Sequence, residues 1–267
     1  MFVIGTGPGH WDYMTKRAAD LLQKAKAVAG YTTYIDLIKD KIQGKEIIAT
    51  GMKKEVERVE KALEKSLSGT PCALISGGDP GVYAMAGLVF EMCREKNIFL
   101  VRYDTEETHR PDKSPNCLAL EIVPGIPALS AGASLLGAPL THDFSAVSLS
   151  DLLTPWSTIE KRLSASASAD FVIVLYNPKS RKRTWQLTRA KEIIMEHRSG
   201  DTLVGIVTAA MRKSQSSFIT RLENMDDAEI DMQTVIFVGS SATETYNDFI
   251  YTPRGYSEKY ALDSAAN

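Results

Sequence analysis

Short apolar runs that end in glycine turns and give way to helical spacing recur through the first half of this chain. That rhythm limits the fold more than any other feature. Residues 2–4 are apolar and open into Gly5-Thr6-Gly7-Pro8-Gly9. Residues 72–75 form a buried-strand run broken by Ser76-Gly77-Gly78-Asp79-Pro80-Gly81. Residues 15–26 place Ala18, Leu21, Leu22 and Ala25 at helical spacing, residues 55–67 do the same with Val56, Val59, Leu63 and Leu67, and residues 84–94 resume it. Residues 27–29, 98–101 and 118–123 read as further strands, the last closed by Pro124-Gly125. Strand, glycine turn and helix in repetition predict an α/β fold whose first sheet is mostly parallel.

The second half changes character. Residues 127–136 are rich in Ala, Ser and Gly, which permits close helix packing, and strong β runs follow at 171–176, 203–207 and 235–238. Residues 180–197, between the first two runs, are read as helical. Residues 164–169 form a small-residue tract, and residues 104–116 are polar, hold two prolines, and read as an exposed, mobile loop. The division expected is a domain over 1–123 that carries the glycine loops and a second α/β domain with a mixed sheet over 124–267.

A chain of 267 residues can bury a core without staples. Its formal charge of −2 provides no global basic field to hold nucleic acid or an anionic membrane. Cys72, Cys93 and Cys117 lack C-x-x-C spacing and are expected as free thiols in a reducing compartment. The start at Phe2-Val3-Ile4-Gly5 lacks a basic leader, and no apolar run reaches the 18 or so residues of a membrane span, so a soluble, cytoplasmic protein is expected.

The glycine turns do not match the known phosphate loops. A dinucleotide fingerprint requires glycine where His10 stands and an acid after the second strand, where Gly30-Tyr31 stands. There is no G-K-[ST] for a P-loop either. What remains is a pair of turns at the carboxyl ends of two strands, where open α/β sheets bind small molecules, with helix capping as the plain role for Asp79. His10, His109, His142 and His197 have no metal-ligand spacing, and no metal is expected. His142-Asp143, just before a strand, is either a loop pair or an acid/base pair. Lys179, Arg181, Lys182 and Arg183 read either as the solvated first turn of a helix or as a clamp for substrate carboxylates.

Taken in order, G-T-G-P-G, S-G-G-D-P-G-V-Y and V-P-G-I-P-A-L-S-A resemble the tetrapyrrole (corrin/porphyrin) methylases, which use S-adenosylmethionine. Gly137 to Phe144, Ser148 to Trp156, Leu175-Tyr-Asn-Pro178 and Thr252-Pro-Arg-Gly-Tyr256 resemble the precorrin-3B C-17 methyltransferase branch, which includes the enzyme acting on cobalt-factor III. The resemblance covers nearly the whole chain. It implies a two-domain methylase, usually a homodimer, with the cofactor folded between the domains. It implies a polycarboxylated tetrapyrrole as substrate and cobalamin biosynthesis as the setting.

Carried over residue by residue, the resemblance puts Pro8 at the cofactor floor and Gly77, Gly78, Asp79 and Val82 around the methionine part. Pro127 and Ala128 replace a Thr/Ser-Ala pair, so a hydroxyl is missing there; Asn177, also carried over as a cofactor residue, stands where relatives commonly have Met, and Ala210 falls near the glycine that faces the adenine side. Arg181, Arg183, Arg212 and Arg254, with Lys179, are candidate anchors for substrate carboxylates. Methyl transfer from a sulfonium needs alignment more than strong acid or base. The accompanying ring contraction requires proton transfer, for which His142, Asp143, Ser148, Ser150 and Asp151 are the candidates. The alternatives are a methylase for another ring carbon or uroporphyrinogen III, and a non-catalytic module that binds the cofactor or a tetrapyrrole.

Overall fold

The structure, a computed structural model, describes residues 1–103, 116–226 and 228–260. The loop expected over 104–116 and His109 fall, apart from Asn116, outside the described residues. The chain divides into two compact units, Met1–Ala128 and Leu129–Asn267, where a boundary at Val123 was expected.

The first unit contains β1 (Phe2–Gly5), α1 (Lys16–Lys24), β2 (Ala27–Tyr31), α2 (Thr32–Ile38), β3 (Glu46–Thr50), α3 (Glu55–Leu67), β4 (Cys72–Ser76), α4 (Ala86–Glu95), β5 (Phe99–Arg102) and β6 (Cys117–Val123). Its six-stranded sheet has the order β3-β2-β4-β1-β6-β5. All of its pairings are parallel. Side chains alternate across a strand, and the alternation divides the core in two. Val3 and Leu74 pack with Val59 and Leu63 of α3 and Val89 of α4 on one face. Phe2, Ile4 and Ile75 pack with Leu21 and Leu22 of α1 and Ile35 of α2 on the other. Cys72 is enclosed in the first of these layers, and burial pushes its thiol up to about 11. Thr15 starts α1 by accepting a hydrogen bond from the Ala18 N–H at 3.2 Å.

The second unit contains α5 (Ala128–Leu136), β7 (Gly137–Ala138), β8 (Phe144–Ser148), α6 (Trp156–Ser168), β9 (Val172–Tyr176), α7 (Gln186–Met195), β10 (Leu203–Thr208), β11 (Ser216–Arg221), β12 (Thr234–Val238), β13 (Glu244–Tyr246), β14 (Phe249–Tyr251) and α8 (Tyr256–Lys259). A five-stranded sheet, β11-β10-β12-β9-β8, and a small sheet, β13-β14-β7, are present. The larger sheet is mixed: β8 and β9 are parallel, and β12 runs against both β9 and β10. The α/β architecture, with a parallel sheet first and a mixed one second, is the expected one.

One face of the mixed sheet is covered by α6 and α7 through Ile159, Leu163, Leu187 and Ile194. Against the other face, α5 lies so close that a Cβ on Gly132 would meet the Phe237 ring at 2.8 Å. The small-residue composition of α5 is what permits that approach. Residues 164–169, read as a small-residue tract, are largely the final turns of α6, which buries Ser166 and Ala167. The helix expected over 180–197 begins only at Gln186. Residues 180–185 are instead held in a loop, where the Ser180 N–H donates to the Arg183 carbonyl at 3.0 Å and the Arg183 N–H donates to Ser180 Oγ at 3.1 Å.

Candidate active site

In the first unit, the carboxyl ends of three neighbouring strands are joined through their backbones. The Gly7 N–H donates to the Gly78 carbonyl at 3.1 Å and the Gly78 N–H donates back to Gly7 at 2.7 Å, which forms an isolated antiparallel bridge between the turns after β1 and β4. Thr6 adds two bonds to the Ser76 carbonyl, from its N–H at 2.9 Å and its hydroxyl at 3.1 Å. The turn after β6 closes the group. A Cβ on Gly125 would lie 2.2 Å from the Gly78 carbonyl oxygen and 2.9 Å from the Gly5 carbonyl carbon. Gly78 has φ +68°, in the left-handed region that favours glycine.

Asp79 does not cap α4, which begins at Ala86 with Met85 at its N-cap. One carboxylate oxygen accepts from the Gly81 N–H at 2.7 Å and the other from the Gly125 N–H at 3.1 Å, so this side chain ties the β4 turn to the β6 turn. Pro127 and Ala128 lie against the same turn, their backbone 3.6 to 3.9 Å from where a Gly78 Cβ would stand. Pro8 is buried, while Gly77, Gly78, Asp79 and Val82 are half-buried. The Tyr34 ring backs Gly77 so closely that a Cβ there would sit 2.6 Å from it. Pro8, Gly77, Gly78, Asp79, Val82, Pro127 and Ala128 therefore form one neighbourhood. Gly5, Gly125 and Thr6 complete it. They were missed as site residues, although two of them were visible as glycines at strand ends.

In the second unit, β8 and β9 are parallel and β10 runs in the same direction, so their carboxyl ends share an edge. Ser148, Asn177 and Ala210 lie at or just beyond those ends. Asn177 has φ 52°, and its Nδ2 donates to Ser148 Oγ at 2.9 Å. Ser148 Oγ also accepts from the Ser150 N–H at 3.2 Å. Asp151 accepts from Gln186 Nε2 at 3.1 Å. Arg212, also at this edge, donates to Gln233 Oε1 at 2.9 Å, and Arg181 is exposed.

Two sequence expectations change here. Arg183 is neither in a solvated helical turn nor free to clamp a substrate. Its side chain is buried, and Nη1 donates to the Asn177 carbonyl at 2.8 Å and the Leu149 carbonyl at 3.2 Å, while Nη2 meets Met232 Sδ at 3.4 Å. Burial lowers its pKa from the usual guanidinium value, and the Asp151 charge opposes that. The acid/base candidates also separate. Asp143 precedes the first residue of β8 and Ser148 is its last, so about five residues of extended chain, roughly 17 Å, lie between them. His142 and Asp143 are exposed at the amino end of β8. The adjoining Thr141 donates to the Thr252 carbonyl at 2.6 Å, which places exposed Arg254 at that far end as well. His142, Asp143 and Arg254 thus do not join Ser148, Ser150 and Asp151 in one constellation. Gln186 was missed, since an isolated glutamine early in a helix has no distinguishing signal in sequence.

Among the described residues, no group of three or more His, Cys, Asp or Glu side chains could hold a metal ion, and no helix is long and apolar enough to cross a membrane.

Comparison with known proteins gives these edges a context. The family model for Tetrapyrrole (Corrin/Porphyrin) Methylases matches residues 1–226. The chain is 44% identical over 263 residues, 98% of its length, to the cobalt-factor III methyltransferase of Priestia megaterium, of which it spans 46%. It is 44% identical over 255 residues to a probable cobalt-factor III C(17)-methyltransferase of Salmonella typhimurium, covering 96% of this chain and 98% of that one. A crystal structure of the methyltransferase CobJ is similar with a TM-score of 0.83 and 34% identity, covering 94% of this chain and 98% of that one. Linked glycine turns after β1, β4 and β6, followed by a mixed sheet, are thus the form that this lineage takes here, and the chain belongs to the tetrapyrrole (corrin/porphyrin) methylases.

Proposed function

We propose that this chain is an S-adenosylmethionine-dependent methyltransferase of cobalamin biosynthesis. It methylates C-17 of cobalt-factor III or precorrin-3B and contracts the macrocycle to the precorrin-4 level. The observation that carries this reading is the 44% identity, over almost the full length of both chains, to a probable cobalt-factor III C(17)-methyltransferase.

The first unit suits the cofactor. Half-buried backbone of Gly77, Gly78, Asp79 and Val82 at the carboxyl ends of parallel strands offers N–H and C=O groups to a zwitterionic amino-acid part, and Pro127 and Ala128 stand beside it. Both carboxylate oxygens of Asp79 are engaged by backbone N–H groups, so Asp79 holds the turn's shape. Asn177 and Ala210 are the candidates for the adenine side. When bound, the cofactor supplies a methyl group already activated on a sulfonium, so the protein's contribution is alignment and exclusion of water.

For the macrocycle, Arg181 and Arg212 are assigned to peripheral carboxylates, and Arg183 ties the loop that carries Arg181 to the loop after β8. Proton transfer in the ring contraction falls to Ser148, Ser150 and Asp151, which share one edge. His142, Asp143 and Arg254, at the other end of β8, receive no part in it. The working form is a cytoplasmic homodimer, which light scattering on the purified chain would check.

The test is an anaerobic incubation with S-adenosylmethionine and either cobalt-factor III or metal-free precorrin-3B, followed by absorbance and product mass. A gain of one methyl on cobalt-factor III is expected. A gain on precorrin-3B alone would transfer the chain to the metal-free substrate. No gain on either would overturn the C-17 assignment.

A further inference from the structure

The loop that leaves β8 is braced at its base and apolar at its tip. Leu149 is fully buried, and its carbonyl accepts from Arg183. Asp151 is held by Gln186, which is itself buried. Immediately beyond, Leu152 is 68% exposed and Leu153 is 99% exposed. A lone exposed leucine requires no explanation on a protein surface. Two in succession, on a loop whose base is tied to a neighbouring strand end, are held out in water when a slack loop would fold them back.

The surroundings indicate what covers them. The neighbouring loop, after β9, carries exposed Arg181 and Lys182, and exposed Trp185. The Trp185 ring meets that of Trp156 with centroids 4.8 Å apart, which puts it beside the end of the leucine loop. Apolar side chains flanked by cations on one edge match a flat apolar ring with a carboxylate periphery. A second copy of this chain, at net charge −2, gives no such reason for the cations.

We propose that Leu152 and Leu153 form a contact surface for the apolar face of the macrocycle and contribute to substrate selection. This rests on the function proposed above. It predicts a loss of macrocycle binding with no change in cofactor binding.

The experiment uses the full chain with Leu152→Ser and Leu153→Ser together, and a second variant with Leu152→Met and Leu153→Met. Anaerobic methyl transfer gives kcat/KM for the macrocycle, calorimetry gives Kd for S-adenosylhomocysteine, and light scattering gives the oligomeric state. For the serine variant, kcat/KM for the macrocycle is expected to fall about 10- to 100-fold, as two leucines that the bound macrocycle would cover lose their apolar contact. Its cofactor Kd should stay within about twofold and its Tm within about 1 °C, because both positions are exposed. The methionine variant should recover most of the loss, since volume and apolarity are retained. An unchanged kcat/KM in the serine variant, with an active wild type, overturns this inference alone. A dimer that becomes a monomer with unchanged kinetics per chain assigns the tip to a second copy and also overturns it. A wild type that neither binds nor methylates a tetrapyrrole overturns the proposed function and this inference with it.

Discussion

The two strand-end edges are built from different materials. After β1, β4 and β6 the turns are joined mainly by backbone: Gly7 to Gly78 in both directions, with Gly125 too close to Gly78 for any side chain, and the side chains of Thr6 and Asp79 only add to it. After β8 and β9 the loops are joined by side chains: Asn177 to Ser148, Arg183 to two carbonyls, Gln186 to Asp151. A backbone edge presents one rigid arrangement, suited to a cofactor whose shape is constant. A side-chain edge can be changed residue by residue, which under the proposed function suits selection among related macrocycles.

The sharpest way to break the comparison is to add one carbon to the backbone edge. Gly125→Ala puts a Cβ within 2.2 Å of the Gly78 oxygen, with backbone on every side and no flexible side chain to yield. A cost of about 3 kcal/mol or more is expected, a Tm fall on the order of 10 °C, with cofactor binding lost. Gly51→Ala is the control, because a Cβ there meets nothing within 4 Å. It should change stability by less than about 0.5 kcal/mol. Equal effects in thermal melts would show that the three turns are not rigidly joined.

The side-chain edge should lose less, and in a way that separates brace from clamp. Arg183→Met removes the donors to the Leu149 and Asn177 carbonyls from a buried position. About 2–4 kcal/mol of stability should go with them, read as a lower urea midpoint. Arg181→Met, at an exposed position, should leave the midpoint unchanged and raise KM for the macrocycle roughly tenfold. If the two outcomes were exchanged, the sequence reading of Arg183 as a substrate anchor would be restored.

The same contrast explains what could be read before the structure. Glycines at strand ends mark places where a Cβ does not fit or φ is positive, so Gly7, Gly77 and Gly78 pointed to the first edge. The alternation of strands and helices gave its sheet direction. The second edge was legible only as a list of polar residues. Nothing in the order Lys179 to Arg183 distinguishes the buried arginine from its exposed neighbours, since burial there depends on β8 and β9 lying side by side. His142-Asp143 and Ser148-x-Ser150-Asp151 are close in sequence, but an extended strand separates them, and the short run Phe144–Ser148 had to be known as a strand before that distance could be seen. The helix start was misplaced by six residues, from Ser180 to Gln186, for a related reason. The loop is held by side chain to backbone bonds that compete locally with the helix, and residues 180–185 contain no proline or glycine to announce the break.

The smallest effect tests whether the second edge is side-chain-built throughout. Asn177 occupies the left-handed region at φ 52° and also bonds Ser148. Asparagine tolerates that conformation better than most residues, so its backbone and its amide are both candidates for why it stands there. Asn177→Ala removes the amide and adds strain, for about 1–2 kcal/mol together. Asn177→Gly removes the amide but relieves the strain, and should fall within about 0.5 kcal/mol of wild type. If the amide alone matters, the two variants will be equally destabilised. If the turn alone matters, glycine will be the more stable of all three and ring contraction will be unaffected. The expected pattern is a stable glycine variant with slower ring contraction, because Ser148 then loses the donor that orients its hydroxyl while the loop stays in place.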